Sequence, residues 1–183
     1  VHHLYAQALK FADKVFFQNP DDLKLFHDMK LLDAKKPAVV VNGSGVNVQD
    51  FDVMPLPENN EGEAKASFLL IARLLGDKGV REYAEAARIV KAKHPDAEFH
   101  LVGWIDDNPS AISQAELDTL VADKTVNYWG KLSDVRPAIQ ASSVYVLPSY
   151  REGTPRTVLE AMAMGRAIIT TDAPGCRETQ RIL

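Results

Sequence analysis

One cysteine, Cys176, in 183 residues excludes an internal disulfide framework and suits a reducing compartment. No apolar run approaches the length needed to span a bilayer, and the opening residues lack a basic-then-apolar signal pattern. Neither sign of charge dominates. The balance of 21 Lys and Arg against 25 Asp and Glu leaves a net charge of −4, with no overall basic excess to attract nucleic acid or acidic lipid. The five histidines are scattered without ligand spacing. No G-x-G-x-x-G follows the first strand pattern, which argues against a generic dinucleotide-binding protein. Internal repeats and low-complexity tracts are also missing. What is present, 46% hydrophobic and 25% charged residues, is the composition of an ordinary globular domain long enough for a proper core.

Periodicity along the chain predicts the elements. Residues 4–12 alternate at helical spacing, and 14–18 read as a short strand. Asn19-Pro20-Asp21-Asp22 reads as a helix start, with helical spacing running through Leu23, Phe26, Leu31 and Leu32 until Pro37. Residues 38–41 form a β-branched run of the fully buried type. Residues 57–66, rich in Pro, Glu, Asn and Gly, read as a surface loop. Strands are expected near 67–72, 97–102, 126–129, 143–147 and 166–170, with helices near 79–94, 113–123, 134–141 and 155–164. Such alternation predicts an α/β fold, a parallel sheet with helices on both faces.

The stretch from Arg151 to Gly165 carries the most chemistry. Val158, Leu159, Ala161, Met162, Ala163 and Met164 surround Glu160, so the helix is expected to be buried and its acid to need a partner. That partner is either a pair of ligand hydroxyls or a nearby arginine such as Arg166. Thr154 is expected as N-cap and Pro155 at the first helical position, leaving the N–H groups of Arg156 and Thr157 to face an anion. The strand at 144–147 runs directly into this turn, and ligands of open parallel sheets sit at such carboxyl edges.

The spacing of Glu152 and Glu160 resembles the E-x7-E motif of the retaining family 4 glycosyltransferases. The wider match comprises Leu147 to Gly153, Leu159 to Gly165 and Thr171 to Glu178. Ala72 to Gly79 is similar to the family's arginine and lysine-glycine phosphate clamp. Asn42-Gly43-Ser44-Gly45-Val46-Asn47 is similar to its N-G-V-D loop, with departures at Ser44, Gly45 and Asn47. The resemblance covers roughly residues 14–178. It implies that residues 1–36 are the end of an N-terminal domain plus connector. Residues 37–183 are then the C-terminal, nucleotide-sugar-binding domain of a two-domain GT-B enzyme, truncated at its closing elements.

The resemblance also implies roles. Arg73 and Lys78 would meet the diphosphate, and Glu152 the hydroxyls of the transferred sugar, as catalytic residues. Glu160 would hold the ribose, and the main chain of Gly130, Lys131 and Leu132 the nucleobase. Gly153, Thr154, Pro155, Arg156 and Thr157 would form the anion-binding helix end, with Gly45 in the loop facing it. The bland alternatives are solvated cations beside Asp77, a Glu152 paired with Arg151 or Arg156, and a strand-to-helix turn capped by Ser133. Asp106-Asp107 invites a metal reading, but no further ligand cluster backs it, and neither a metal nor another cofactor is expected. Cys176 lacks a base partner. Phe99, Trp104, Tyr128 and Trp129 are expected to pack in the core.

The implied function is transfer of a hexose or N-acetylhexosamine from a nucleotide sugar, UDP-linked by preference, to a lipid-linked or glycan acceptor in bacterial surface polysaccharide synthesis. The work would be done in the cytoplasm at the inner membrane face. The acceptor is expected on the N-terminal domain, with no nucleic acid and no membrane contact from these residues, so that the 183 residues alone bind a nucleotide sugar weakly and transfer nothing. A sugar-nucleotide epimerase of the same fold and a non-catalytic nucleotide-sugar-binding module are the rivals.

Overall fold

The computed structural model describes residues 2–41 and 43–181. Expectations resting on Val1, Asn42 and Leu183 lie outside the described residues. The chain opens with α1 (His2–Lys10), β1 (Val15–Phe17), α2 (Pro20–Asp28) and β2 (Ala38–Val40). Asn19 caps α2 by accepting from the Asp22 N–H at 2.8 Å, with Pro20 and two acids in the first turn where the helix dipole favours them. The helix stops earlier than its apolar spacing predicts. Lys30 enters the left-handed region at φ 54°, and the N–H groups of Leu31 and Leu32 fold back onto the Phe26 carbonyl. Pro37 therefore plays no part in ending it. β1 and β2 form a separate two-stranded parallel sheet, Val15 opposite Ala38. β2 is not the fully buried strand its composition suggests, because Val39 is 37% exposed.

The larger body alternates β3 (Ser67–Ile71), α3 (Val80–Lys93), β4 (Glu98–Val102), α4 (Gln114–Ala122), β5 (Asn127–Tyr128), α5 (Arg136–Gln140), β6 (Val144–Leu147), α6 (Arg156–Ala163) and β7 (Ala167–Thr170). The five strands are all parallel in the order β5-β4-β3-β6-β7, sandwiched between helices. Central strand β3 is buried at four of its five positions. Helix α3 turns Val80, Tyr83, Ala84 and Ala87 inward at helical spacing. Leu69, Leu70, Leu101, Tyr145, Leu147, Val158 and Ala161 belong to one continuous core.

Strand order fixes where a ligand would go. From β3 the chain builds outward through β4 to β5, then returns to the other side of β3 to build β6 and β7. The connections leaving adjacent strands β3 and β6 therefore diverge, opening a crevice at their carboxyl ends. Tyr145 ties the two sides together. Its hydroxyl donates to the Ile71 carbonyl at 3.2 Å and lies 2.7 Å from the Thr157 hydroxyl, joining the end of β3 to the first turn of α6.

Candidate functional site

The segments leaving β3 and β6 carry the predicted cations and acids. After β3, Arg73 precedes a short 3-10 turn, Gly76–Lys78, which ends at Gly79 with φ 71°. A Cβ on Gly79 would sit 2.2 Å from the Pro148 carbonyl oxygen, so only glycine lets the start of α3 approach the end of β6 this closely. That approach puts Lys78 Nζ 2.7 Å from Glu152 Oε1, with both side chains mostly shielded from water. The Glu152 loop partner is thus Lys78, not Arg151 or Arg156. Arg73 reaches the other way, with its Nη1 3.3 Å from Asp106 and nearly half of its side chain exposed. Arg73 and Lys78 occupy the same sheet edge, each beside a carboxylate.

Helix α6 starts one residue later than expected. Pro155 itself is the N-cap, at φ −71° and ψ 108°, and no side chain caps the helix. Thr154 lies one residue before the N-cap, and its hydroxyl donates to the Gln18 carbonyl at 3.0 Å. An eight-residue helix without a side-chain cap presents first-turn N–H groups at the crevice, with the partial positive charge of its dipole. The loop of Gly43 lies against this tip, since a Cβ at Gly43 would meet the Thr154 side chain at 2.7 Å; Gly45, by contrast, faces open space.

Glu160 is 7% exposed, as its apolar neighbours predict. Its partner is Arg156, one turn earlier, with Nε 3.0 Å from Oε1. Arg166 is engaged elsewhere, donating to the carbonyls of Met54 and Pro55 at 2.7 and 3.0 Å. Loss of water raises the Glu160 carboxyl above its ordinary pKa, and the attraction of Arg156 offsets this only in part. Arg156 itself is largely exposed.

On the β4–β5 side, Gly103 at φ 152° abuts the Ala72 carbonyl, and its N–H donates to the Gly130 carbonyl at 2.9 Å. The turn of Gly130, Lys131 and Leu132 therefore sits beside the segment leaving β3. Lys131 Nζ lies 4.5 Å from the Trp104 ring centroid. Trp104 and Trp129 are not core residues. They are 39% and 37% exposed, because both follow the ends of their strands. Ser133 does not cap α5; Val135 precedes the helix, and Asp134 accepts from the Arg136 N–H.

Cys176 is buried, and desolvation pushes its thiol up. Among the described residues no group of three or more His, Cys, Asp or Glu is placed to hold a metal, and no helix is long and apolar enough to cross a membrane.

A doubly wound parallel sheet with cations, acids and a bare helix tip at its switch point defines an α/β domain suited to an anionic ligand, and its structural neighbours are GT-B glycosyltransferases. The chain belongs to the glycosyl transferases group 1 family, whose model matches residues 65–181. It is 36% identical over 190 residues to a Campylobacter jejuni protein named as N,N'-diacetylbacillosaminyl-diphospho-undecaprenol α-1,3-N-acetylgalactosaminyltransferase, covering 97% of this chain and 47% of that protein. It is 26% identical to the Escherichia coli UDP-Gal:α-D-GlcNAc-diphosphoundecaprenol α-1,3-galactosyltransferase, over 92% of this chain and 45% of that one. Among solved structures, Anabaena HepE in complex with UDP and glucose shares the fold at a TM-score of 0.76 and 16% identity, over 97% of this chain and 50% of that chain. The chain spans about half the length of these relatives.

Proposed function

We propose that this chain is the donor-binding part of a retaining glycosyltransferase that moves a hexose or N-acetylhexosamine from a UDP sugar to a lipid-linked glycan. The observation that carries the reading is the Lys78–Glu152 pair set between the segments that leave β3 and β6, at the sheet edge that also carries Arg73 and the uncapped start of α6. A departing nucleoside diphosphate gathers negative charge, and cations with a helix tip meet that charge without a metal. Arg73 grips oxygens with its planar fork while Lys78 acts as a point charge. Glu160 accepts from the ribose hydroxyls after Arg156 swings aside, Glu152 orients the sugar, and the turn at Gly130 to Leu132 meets the base.

Support for UDP and for a lipid-linked acceptor comes from what similar proteins are named for: the Anabaena structure holds UDP and glucose, and the Campylobacter and Escherichia coli proteins act on diphospho-undecaprenol sugars. The acceptor hydroxyl attacks on the face the diphosphate leaves and passes its proton to the leaving phosphate, the course that the resemblance to retaining glycosyltransferases implies.

Calorimetric titration of UDP, GDP and ADP sugars tests the donor assignment. A UDP sugar is expected to bind, and Arg73→Ala is expected to weaken it at least tenfold, in line with losing about 1.5–3 kcal/mol from a charged hydrogen bond. Preference for another base, or indifference to Arg73→Ala, contradicts it. In the complete protein, product of inverted anomeric configuration refutes retention.

A further inference from the structure

We propose that Asn19, far from the crevice in sequence, is the positioning residue that holds the Glu152 loop in its sugar-facing geometry. The inference rests on the donor-site reading above and assigns a partner to one part of it. Asn19 is fully buried. Its side-chain oxygen is spent on capping α2. Its amide nitrogen does something else: it lies 3.3 Å from the Glu152 carbonyl oxygen, 3.2 Å from that of Gly153 and 3.0 Å from Asp22 Oδ2. Its two N–H groups are shared among three acceptors, Asp22 and the two successive carbonyls, and this buried donor fixes the orientation of the peptide between those carbonyls, and so the direction in which the Glu152 side chain leaves the backbone.

Neighbours reinforce the clasp. Thr154 donates to the Gln18 carbonyl at 3.0 Å. Arg151 pairs with Asp22, and Arg177 Nη1 lies 3.1 Å from Asp21. Gly175 is needed because, at φ 78°, a Cβ there would fall 2.0 Å from the Glu152 carbonyl oxygen. From one side, then, residues 18–22 of the β1–α2 unit grip residues 151–154. From the other, Lys78 holds the Glu152 carboxylate at 2.7 Å. The small parallel sheet is joined through these contacts to the Glu152 loop, so a displacement of that unit is felt at Glu152 and, through the same ion pair, at Lys78.

The two functions of Asn19 are separable by substitution. Serine caps a helix about as well as asparagine but has no amide to give the loop; alanine does neither. UDP and UDP-N-acetylgalactosamine are the probes, titrated calorimetrically into wild type, Asn19→Ser and Asn19→Ala, with melting temperatures recorded for each. UDP meets the Lys78 that pairs with Glu152 but lacks the sugar that Glu152 orients, so its Kd is expected to change less than that of the sugar nucleotide in both variants. The extra affinity for the sugar nucleotide over UDP is expected to fall about five- to tenfold in both, the size of one or two lost hydrogen bonds. Both variants lose the loop bonds and melt below wild type, and Asn19→Ala, which also loses the cap, melts lower still. An unchanged sugar increment in both variants overturns the inference while leaving the donor site standing, as does a parallel loss of UDP and UDP-sugar affinity. A wild-type chain that binds neither probe removes the donor reading and the positioning role with it.

Discussion

Replacing Glu160 by glutamine is expected to move stability and donor binding in opposite directions. Burial is the largest influence on this carboxyl and raises its pKa above the reference of 4.5. Its partner Arg156 has 66% of its side chain exposed, so the pair acts through water and contributes only about 0.3–0.5 kcal/mol. Glutamine keeps the shape and drops the desolvated charge. The variant is expected to be as stable as wild type or up to about 1 kcal/mol more stable, a rise of up to roughly 2–4 °C in Tm for a chain of this size. The sign with pH follows from the raised pKa. The folded state holds the Glu160 proton more tightly than the unfolded chain does. The group therefore costs nothing well below its ordinary pKa and costs more as pH rises through the folded value. Any advantage of the variant is thus present at pH 7 and gone near about pH 4. UDP binding goes the other way. A carboxylate accepting ribose hydroxyls supplies charge-assisted bonds of about 1.5–3 kcal/mol, so the Kd is expected to rise roughly 10- to 150-fold. Thermal melts at both pH values with calorimetric UDP titration read the two effects. A variant that melts several degrees lower at pH 7 and binds UDP as before would make Glu160 a structural partner of Arg156 and refute the reasoning.

Three further outcomes are expected. Gly79→Ala combines a left-handed φ of 71° with a Cβ 2.2 Å from the Pro148 oxygen; it is expected to destabilise by more than about 2 kcal/mol in a denaturant melt, and a loss under about 0.5 would contradict the close approach. Tyr145→Phe removes the hydroxyl between Ile71 and Thr157, for a loss of about 1 kcal/mol or roughly 3 °C by calorimetry; no change would show that the bridge is idle. Burial lowers the pKa of His100, whose Nδ1 accepts from Trp129 Nε1 at 3.1 Å. Its folded state binds a proton more weakly, so its contribution is complete above the ordinary pKa of 6.5 and is lost as pH falls below it. Tm is expected to drop from pH 7 to pH 5 more in wild type than in His100→Gln, and equal drops would refute this.

The doubly wound sheet is legible because each element declares itself locally. β3 is a short apolar run, α3 has helical spacing, and the alternation between them leaves few topologies. The acids and cations of the crevice are legible as residue types at a spacing. Their pairing is not, because Lys78 and Glu152 meet across 74 positions through a contact that depends on Gly79. Local reasoning also misleads where a distant partner competes. Thr154 looks like a cap but lies one residue before the N-cap, with its hydroxyl on the Gln18 carbonyl, and the spacing of Leu31 and Leu32 looks helical although Lys30 has already turned the chain. Asn19 shows both sides at once: its capping oxygen is readable from Pro20-Asp21-Asp22, while its grip on the Glu152 loop is a tertiary contact with no local signature. Tyr145 does leave a trace, since a tyrosine inside an apolar strand needs somewhere to put its hydroxyl.

The diphosphate pocket is the claim on which the functional account stands, and comparing uridine with UDP by calorimetry, in wild type and Lys78→Ala, measures it most directly. The account predicts that UDP binds at least about a hundredfold more tightly than uridine, and that Lys78→Ala removes about tenfold of that difference while leaving uridine unaffected. Equal affinity for uridine and UDP, or an undiminished difference in the variant, would contradict it.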